Sequence, residues 1–125
     1  MVNVFSAGSM LVKVFENRAQ LGKDAATMVE QKIIEILSVK DEVNMIFAAA
    51  PSQNEFLTEL KMKALPWEKI NAFHMDEYIG LPSTAPQLLS TFLRDALFGK
   101  VSFKRVYYLN GNAEDIEKEM SEYEK

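Results

Sequence analysis

Hydrophobic and polar positions along the chain alternate between helix-like and strand-like patterns. Apolar residues spaced four apart predict a long amphipathic helix over residues 18–38. Asn17, with Gln20 three positions later, has the pattern of a capping box at its start. Residues 11–15 alternate enough to form a short strand, and residues 1–10 are expected to be a loose leader.

Two short apolar runs that stop abruptly predict buried strands over residues 43–49 and 69–75. Pro51 ends the first run, and Ser52 is the expected N-cap of a helix from Asn54 to about residue 64. The second run breaks into Asp76 and Glu77 and then turns through glycine and proline. Beyond it the pattern predicts a helix over 86–98, a strand over 105–109, and an acidic helix from residue 113 capped by Asn112.

The resulting order is β-α-β-α-β-α-β-α, without repeats or linkers. Such alternation predicts a single α/β domain, spanning residues 11–125, with helices on the faces of a parallel sheet.

Composition narrows the classes of function. A chain of 125 residues suffices for one domain, and 48% hydrophobic and 26% charged residues are typical of a globular protein. A net charge of -4 argues against nucleic-acid binding. The absence of cysteine excludes disulfides, thiolate catalysis and cysteine-ligated zinc. Without a membrane-length apolar run or a secretory signal pattern, the expected location is the cytoplasm, away from the membrane.

Two candidate sites follow neighbouring predicted strands. Asp76 and Glu77 lie at the carboxyl end of one strand, where open α/β sheets bind ligands, although two acids could also simply solvate a loop. The small residues before Ser52 and the following helix start form a plausible anion site, although such a turn also arises for close packing. Parallel topology would bring both sites to one sheet edge. His74, the only histidine, is more often a packed residue than a catalyst.

A family resemblance rests on residues 73–82, Phe-His-Met-Asp-Glu-Tyr-Ile-Gly-Leu-Pro, with Pro86-Gln87, Phe92 and the segment 109–116 behind them. These residues resemble the glucosamine-6-phosphate deaminase/isomerase family, over about residues 12–125. The related 6-phosphogluconolactonases typically have arginine where Tyr78 stands. The resemblance implies a Rossmann-like, doubly wound, mostly parallel sheet, of which this chain is an incomplete, amino-terminal part.

The resemblance also implies roles for individual residues. Asp76 matches the family's carboxylate that moves a proton between C2 and C1 of the opened sugar. Glu77, the second candidate catalytic carboxylate, and Tyr78, a candidate substrate-binding residue, match neighbours that help to shape the site in supporting roles. The turn at Ala50, Ser52 and Gln53 matches the phosphate loop, and its hydroxyl residue is the expected phosphate contact.

The implied reaction converts glucosamine 6-phosphate and water to fructose 6-phosphate and ammonia, with no metal or cofactor. Two departures stand out. The phosphate-loop glycines are absent, and Pro51 removes a backbone N–H. The family's later Asp-Gly-His motif, which assists ring opening, and its basic phosphate clamp have no match here, so the 125-residue chain is expected to be inactive alone.

Alternative interpretations remain open at this point. The chain could belong to a lactonase or another sugar-phosphate enzyme, or be a non-catalytic sugar-phosphate-binding module. In each case the expected ligand is a small sugar phosphate. An incomplete sheet would leave an edge uncovered, which predicts association into a homo-oligomer or marginal stability.

Overall fold

The computed structural model describes residues 2–125. Their strands are β1 (Asn3–Ala7), β2 (Met10–Val14), β3 (Val43–Phe47), β4 (Ile70–His74) and β5 (Arg105–Tyr107). Their α-helices are α1 (Arg18–Leu37), α2 (Asn54–Lys61), α3 (Leu89–Leu93) and α4 (Ile116–Glu124). Short 3₁₀ turns precede α2 and β4, at Pro51–Gln53 and Trp67–Lys69, and a π-helical turn, Arg94–Phe98, continues α3.

An open parallel sheet with the order β3-β4-β5 lies at the centre of the domain. Val43 pairs with Ile70 and Phe47 with His74, so β3 and β4 begin and end together. The alternation of strands and helices is the arrangement that parallel pairing requires, since each crossover needs a helix. The predicted α/β class and parallel sheet are therefore confirmed.

The hydrophobic core lies on one face of this sheet. Ala72 at the centre of β4 is fully buried beneath α1, α2 and the α3 segment, to which Ala26, Leu57 and Leu93 contribute buried side chains. Gly22 allows α1 to approach α2, because a Cβ there would come within 2.7 Å of Glu55. This packing of three helical segments on one face fixes the orientation of the strands, and therefore the edge of the sheet at which their carboxyl ends lie.

The opposite face of the sheet is covered more sparsely. Phe73 stacks on Tyr107 at 4.7 Å and meets the edge of Tyr123 from α4 at 5.8 Å, measured between ring centroids. Ile46 on β3, which pairs with Phe73, is 67% exposed. On this face, the part of β3 around Ile46 is therefore not covered by apolar side chains of residues 2–125.

The amino-terminal residues differ from the expectation of a loose leader. Residues 3–7 form β1, which pairs antiparallel with β2, so the predicted strand over 11–15 belongs to a hairpin rather than to the parallel sheet. Gly8 has φ 63°, and glycine at the first turn position with this sign of φ is what a two-residue type II′ turn needs. Met1 lies outside the described residues.

Several predicted boundaries also shift. The helix expected over 86–98 begins as α3 at Leu89, and the acidic helix begins at Ile116 with Asp115 as its cap, whose side chain accepts from Lys118 N. Ser52 is not an N-cap, because Pro51 starts a 3₁₀ turn that places Gln53 before α2. The Asn17 cap is confirmed by its side chain, which accepts a hydrogen bond from Gln20 N at 2.9 Å.

None of the helices formed by residues 2–125 is long and apolar enough to cross a lipid bilayer.

Candidate functional site

The carboxyl ends of β3 and β4 meet at one edge of the sheet. Met75 N donates to Phe47 O at 3.0 Å, so the chain leaving β4 starts directly beside the end of β3. The following loop, residues 75–80, rises from this edge. The predicted carboxylates therefore lie where parallel sheets open a crevice for ligands.

Asp76 is exposed and lines a cleft of about 260 Å³ beside that loop. Met75, Ile79 and Met120 give the cleft largely apolar walls, and the segment 109–111 closes one side. A carboxylate in such surroundings can exchange protons with a bound polar ligand while the apolar walls reduce competition from water.

Glu77 has the opposite environment, because its side chain is only 3% exposed. Its Oε1 accepts from Leu89 N at 2.8 Å and Tyr78 N at 3.0 Å, and its Oε2 accepts from Ser90 N at 3.0 Å. Burial by itself would raise the pKa of Glu77, but the hydrogen bonds from Ser90, Leu89 and Tyr78 outweigh burial and lower it. The carboxylate thus caps α3, whose N-cap residue, Leu88, has no side-chain acceptor.

His74 is buried between Glu77 and the end of β5. Its Nδ1 accepts from Leu109 N at 3.3 Å, so the neutral ring carries its proton on Nε2, which lies 3.5 Å from Glu77 Oε2. Burial lowers the pKa of His74, against the opposing effect of the Glu77 charge. The backbone oxygen of His74 accepts from Tyr123 OH at 2.7 Å. His74 is therefore a packed, neutral residue that ties three elements together.

The loop after β4 also packs closely against the segment after β5. Gly80 N donates to Gly111 O at 2.8 Å, and a Cβ at Gly111 would lie 1.9 Å from Tyr78 O. Only glycine permits this approach. Tyr78 as a whole is 51% exposed, although its backbone is fixed against Gly111.

The turn after β3 is held by fewer contacts. Arg18 Nη2 donates to Pro51 O at 2.7 Å and to Glu55 Oε2 at 2.8 Å, both at the surface. Gln53 N donates to Ala50 O at 2.9 Å within the 3₁₀ turn.

The structure brings some predicted residues together and separates others. Asp76 and Glu77 border one cleft, and the backbone of Tyr78 lies against Gly111. Ser52 lines a different cavity, of about 320 Å³, beside Arg18 and Glu55. The two candidate sites thus share a sheet edge but not a cavity among the described residues.

Sequence reasoning missed the segment 109–111, which borders the Asp76 cleft and fixes the loop. The local signal in this segment is the dipeptide Asn110-Gly111, which indicates a turn. A glycine in a turn does not reveal which backbone approaches it. In residues 2–125 no group of three or more histidine, aspartate or glutamate side chains is placed to hold a metal ion.

Fold and site together define an open Rossmann-like α/β protein with two carboxylates, Asp76 and Glu77, at the carboxyl edge of its sheet. No protein-family model matches the chain. Among curated relatives, glucosamine-6-phosphate deaminase 1 of Giardia intestinalis is 33% identical over 109 residues, covering 81% of this chain and 40% of that protein. The glucosamine-6-phosphate deaminase of Alkaliphilus oremlandii is 29% identical over 119 residues, covering 92% of this chain and 48% of that protein.

Solved structures agree with these relatives. A monomeric glucosamine-6-phosphate deaminase of the NagB superfamily superposes with a TM-score of 0.77 at 25% identity, covering 88% of this chain and 46% of that one. A 6-phosphogluconolactonase from Thermotoga maritima shares the fold with a TM-score of 0.76 at 19% identity, covering 90% and 50%. In sequence and fold the chain is similar to glucosamine-6-phosphate deaminases, and it shares the fold alone with the 6-phosphogluconolactonases. It spans less than half the length of these curated relatives.

Proposed function

We propose that the chain supplies the proton-transfer part of a cytoplasmic glucosamine-6-phosphate deaminase. This isomerising hydrolase of amino-sugar catabolism converts glucosamine 6-phosphate and water to fructose 6-phosphate and ammonia. The observation that carries the proposal is the contrast at the end of β4. Glu77 is committed to backbone amides, whereas Asp76 is exposed in the adjoining cleft.

Asp76 acts as the general base and then as the acid. In the opened sugar, whose amine is protonated, the carboxylate takes the proton from C2 while O1 receives a proton from the ammonium group, which leaves an enolamine. The carboxylate then returns its proton to C1. The resulting iminium at C2 is hydrolysed by water, which releases ammonia and leaves the ketone of fructose 6-phosphate. One carboxylate within reach of both carbons on one face suffices for this shift.

Other residues have supporting roles. Glu77 positions the loop that carries Asp76 and does not touch the substrate, because three N–H groups occupy its oxygens. Tyr78 borders the sugar. The Ala50–Gln53 turn contributes to phosphate binding through Ser52, at the same sheet edge as Asp76.

The chain alone is expected to bind the sugar phosphate without turning it over. The ring-opening histidine and basic clamp that the family resemblance implies have no counterpart in residues 1–125. The only histidine, His74, is buried and hydrogen-bonded at Nδ1. Association of chains through the uncovered edge of β3, beside exposed Ile46, would give the homo-oligomer.

The test is calorimetric titration of the chain and its Asp76→Asn variant with glucosamine 6-phosphate, beside an assay for ammonia and fructose 6-phosphate. We expect saturable binding by both proteins and no turnover by either. Turnover that persists in Asp76→Asn would contradict the proposed role. Absence of binding would contradict the sugar-phosphate proposal.

The fold shared with the Thermotoga maritima 6-phosphogluconolactonase supplies the second candidate. A lactonase would hydrolyse a sugar-phosphate lactone, and Tyr78 stands where those enzymes typically have arginine. Tighter binding of 6-phosphogluconate than of glucosamine 6-phosphate would favour this alternative.

A further inference from the structure

A second, more polar cleft lies against the Asp76 cleft. Its volume is about 170 Å³, and Glu77 and the segment 109–111 form part of the lining of both clefts. Ser83, Arg94, Tyr108 and Asn112 line only the second one. The roles proposed above for Asp76, Tyr78 and Ser52 make no use of these four residues.

Arg94 is the positive charge of this cleft. Its guanidinium carbon lies 5.3 Å from the centroid of the Tyr108 ring, a cation–π arrangement that orients the planar group. Within residues 2–125 no carboxylate lies within 4.0 Å of the Arg94 guanidinium, whereas Arg18 pairs with Glu55. The Arg94 guanidinium is thus held in place without a protein anion to neutralise it.

The backbone at Arg94 is unusual as well. Arg94 begins the π-helical turn, and its carbonyl accepts from Gly99 N at 2.8 Å. Single π-helical turns occur frequently at functional sites because the wider turn redirects side chains. Buried Leu97 and Phe98 anchor this turn in the core, so the position of Arg94 is fixed at its backbone as well as at its guanidinium.

Glu77 is the only carboxylate that borders the cleft. Its charge is already compensated by the N–H groups of Tyr78, Leu89 and Ser90, and its side chain is 3% exposed. Ser83 and Asn112 also line the cleft, and their side chains carry hydrogen-bond donors. The lining therefore combines one uncompensated cation with neutral donors.

We propose that this cleft binds a phosphate group through Arg94. The planar fork of a guanidinium matches the oxygens of phosphate, and neutral donors on the remaining walls suit a tetrahedral anion with several acceptors. The site is distinct from the Ser52 turn and does not depend on the proposed reaction, since it concerns binding of the anion alone.

The test is titration of the chain with inorganic phosphate at constant ionic strength, followed by amide shifts of Ser83, Asn112 and Arg94 in NMR spectra. We expect saturable shifts that Arg94→Gln weakens at least about tenfold, the loss of one charge-assisted contact. Arg94→Lys keeps the charge without the planar fork and should give an intermediate affinity. Lys32→Gln is the matched control, because it removes an equal but already paired charge on α1, away from both candidate sites, and should leave the affinity unchanged.

The proposal is overturned by unchanged affinity in Arg94→Gln, by an equal loss in Lys32→Gln, or by shifts that do not saturate. Thermal unfolding of each variant checks that the fold is retained, which we expect because the Arg94 and Lys32 side chains are exposed. Titration with glucosamine 6-phosphate in the presence of inorganic phosphate then distinguishes the two possible ligands, which are the phosphate group of the sugar and the free anion. Displacement of inorganic phosphate assigns the cleft to the sugar's own phosphate, whereas simultaneous binding assigns it to the free anion.

Discussion

The two turns at the carboxyl edge of the sheet are built in different ways. The loop after β4 is fixed from beneath by buried Glu77 and from above by the close approach of Gly111. The turn after β3 is tied by Arg18 at the protein surface, and Ser52 within it is exposed. One turn is therefore set by the interior of the fold, and the other depends on contacts that water can replace.

This difference separates architecture from chemistry within the Met-Asp-Glu-Tyr motif. Glu77 and Asp76 are neighbours of the same chemical type, yet one is enclosed by amides and the other faces a cleft. A rigid loop is what a proton-transferring carboxylate needs, since small displacements reduce its efficiency. We infer that Asp76 supplies the reactive carboxylate and that Glu77 holds the loop that positions it.

Gly111→Ala should have the largest effect on the free energy of unfolding, because it disrupts the close packing of the loop after β4. A Cβ that meets Tyr78 O at 1.9 Å must displace backbone, and we expect a loss of about 3 kcal/mol in the free energy of unfolding. Gly80→Ala is the control in the same loop, where φ is 87° but the space is open, and should cost about 1 kcal/mol. Urea unfolding measures both, and equal losses would show that close packing at Gly111 is unimportant.

Glu77→Gln and Asp76→Asn sharpen the contrast between the two acids. Replacing the buried carboxylate weakens its bonds to the α3 amides, and we expect a loss of about 2 kcal/mol in unfolding free energy. Asp76→Asn should change it by less than about 0.5 kcal/mol, because the side chain is exposed. If urea unfolding shows a larger loss for Asp76→Asn than for Glu77→Gln, the structural role inferred for Glu77 is wrong.

The fixed loop should also respond to acid in two stages. The pKa values of His74 and Glu77 are both lowered in the folded protein, so each group contributes stability that is complete above its unfolded pKa and is lost as pH falls. The loss attributable to His74 begins below about pH 6.5 and that of Glu77 below about pH 4.5. Unfolding free energy measured against pH checks this.

His74→Asn should remove the first stage while leaving the second. A stability curve that is flat between pH 6.5 and pH 4.5 in the unmodified chain would contradict the assignment of a buried neutral imidazole.

Ser52→Ala should have the smallest effect on stability, within about 0.5 kcal/mol, because the side chain is exposed. Its expected effect is on ligand affinity. Loss of one neutral hydrogen bond to phosphate should weaken the binding of glucosamine 6-phosphate about fivefold, as measured by calorimetry. Gln53→Ala tests whether any loss is particular to the hydroxyl, and identical binding by all three proteins would remove the turn from the proposed site.

The sequence predicted the parallel sheet because strand-like and helix-like patterns alternate along the chain, as crossovers between parallel strands require. It did not predict the β1–β2 hairpin, since the alternation in residues 3–7 is weak and the turn depends on the φ of Gly8. Nor could it separate Asp76 from Glu77, because the distinction arises from amides twelve and thirteen residues away. Long-range backbone contacts leave little trace in local pattern.

The position of His74 makes its imidazole a built-in spectroscopic probe of the site. The chain contains one histidine, and its ring touches the three segments that define the site: Leu109 after β5, Glu77 in the loop and Tyr123 of α4. A single imidazole signal, free of overlap, therefore records whether those segments are assembled. Any variant or ligand that loosens the loop can be recognised from one resonance, without reference to activity.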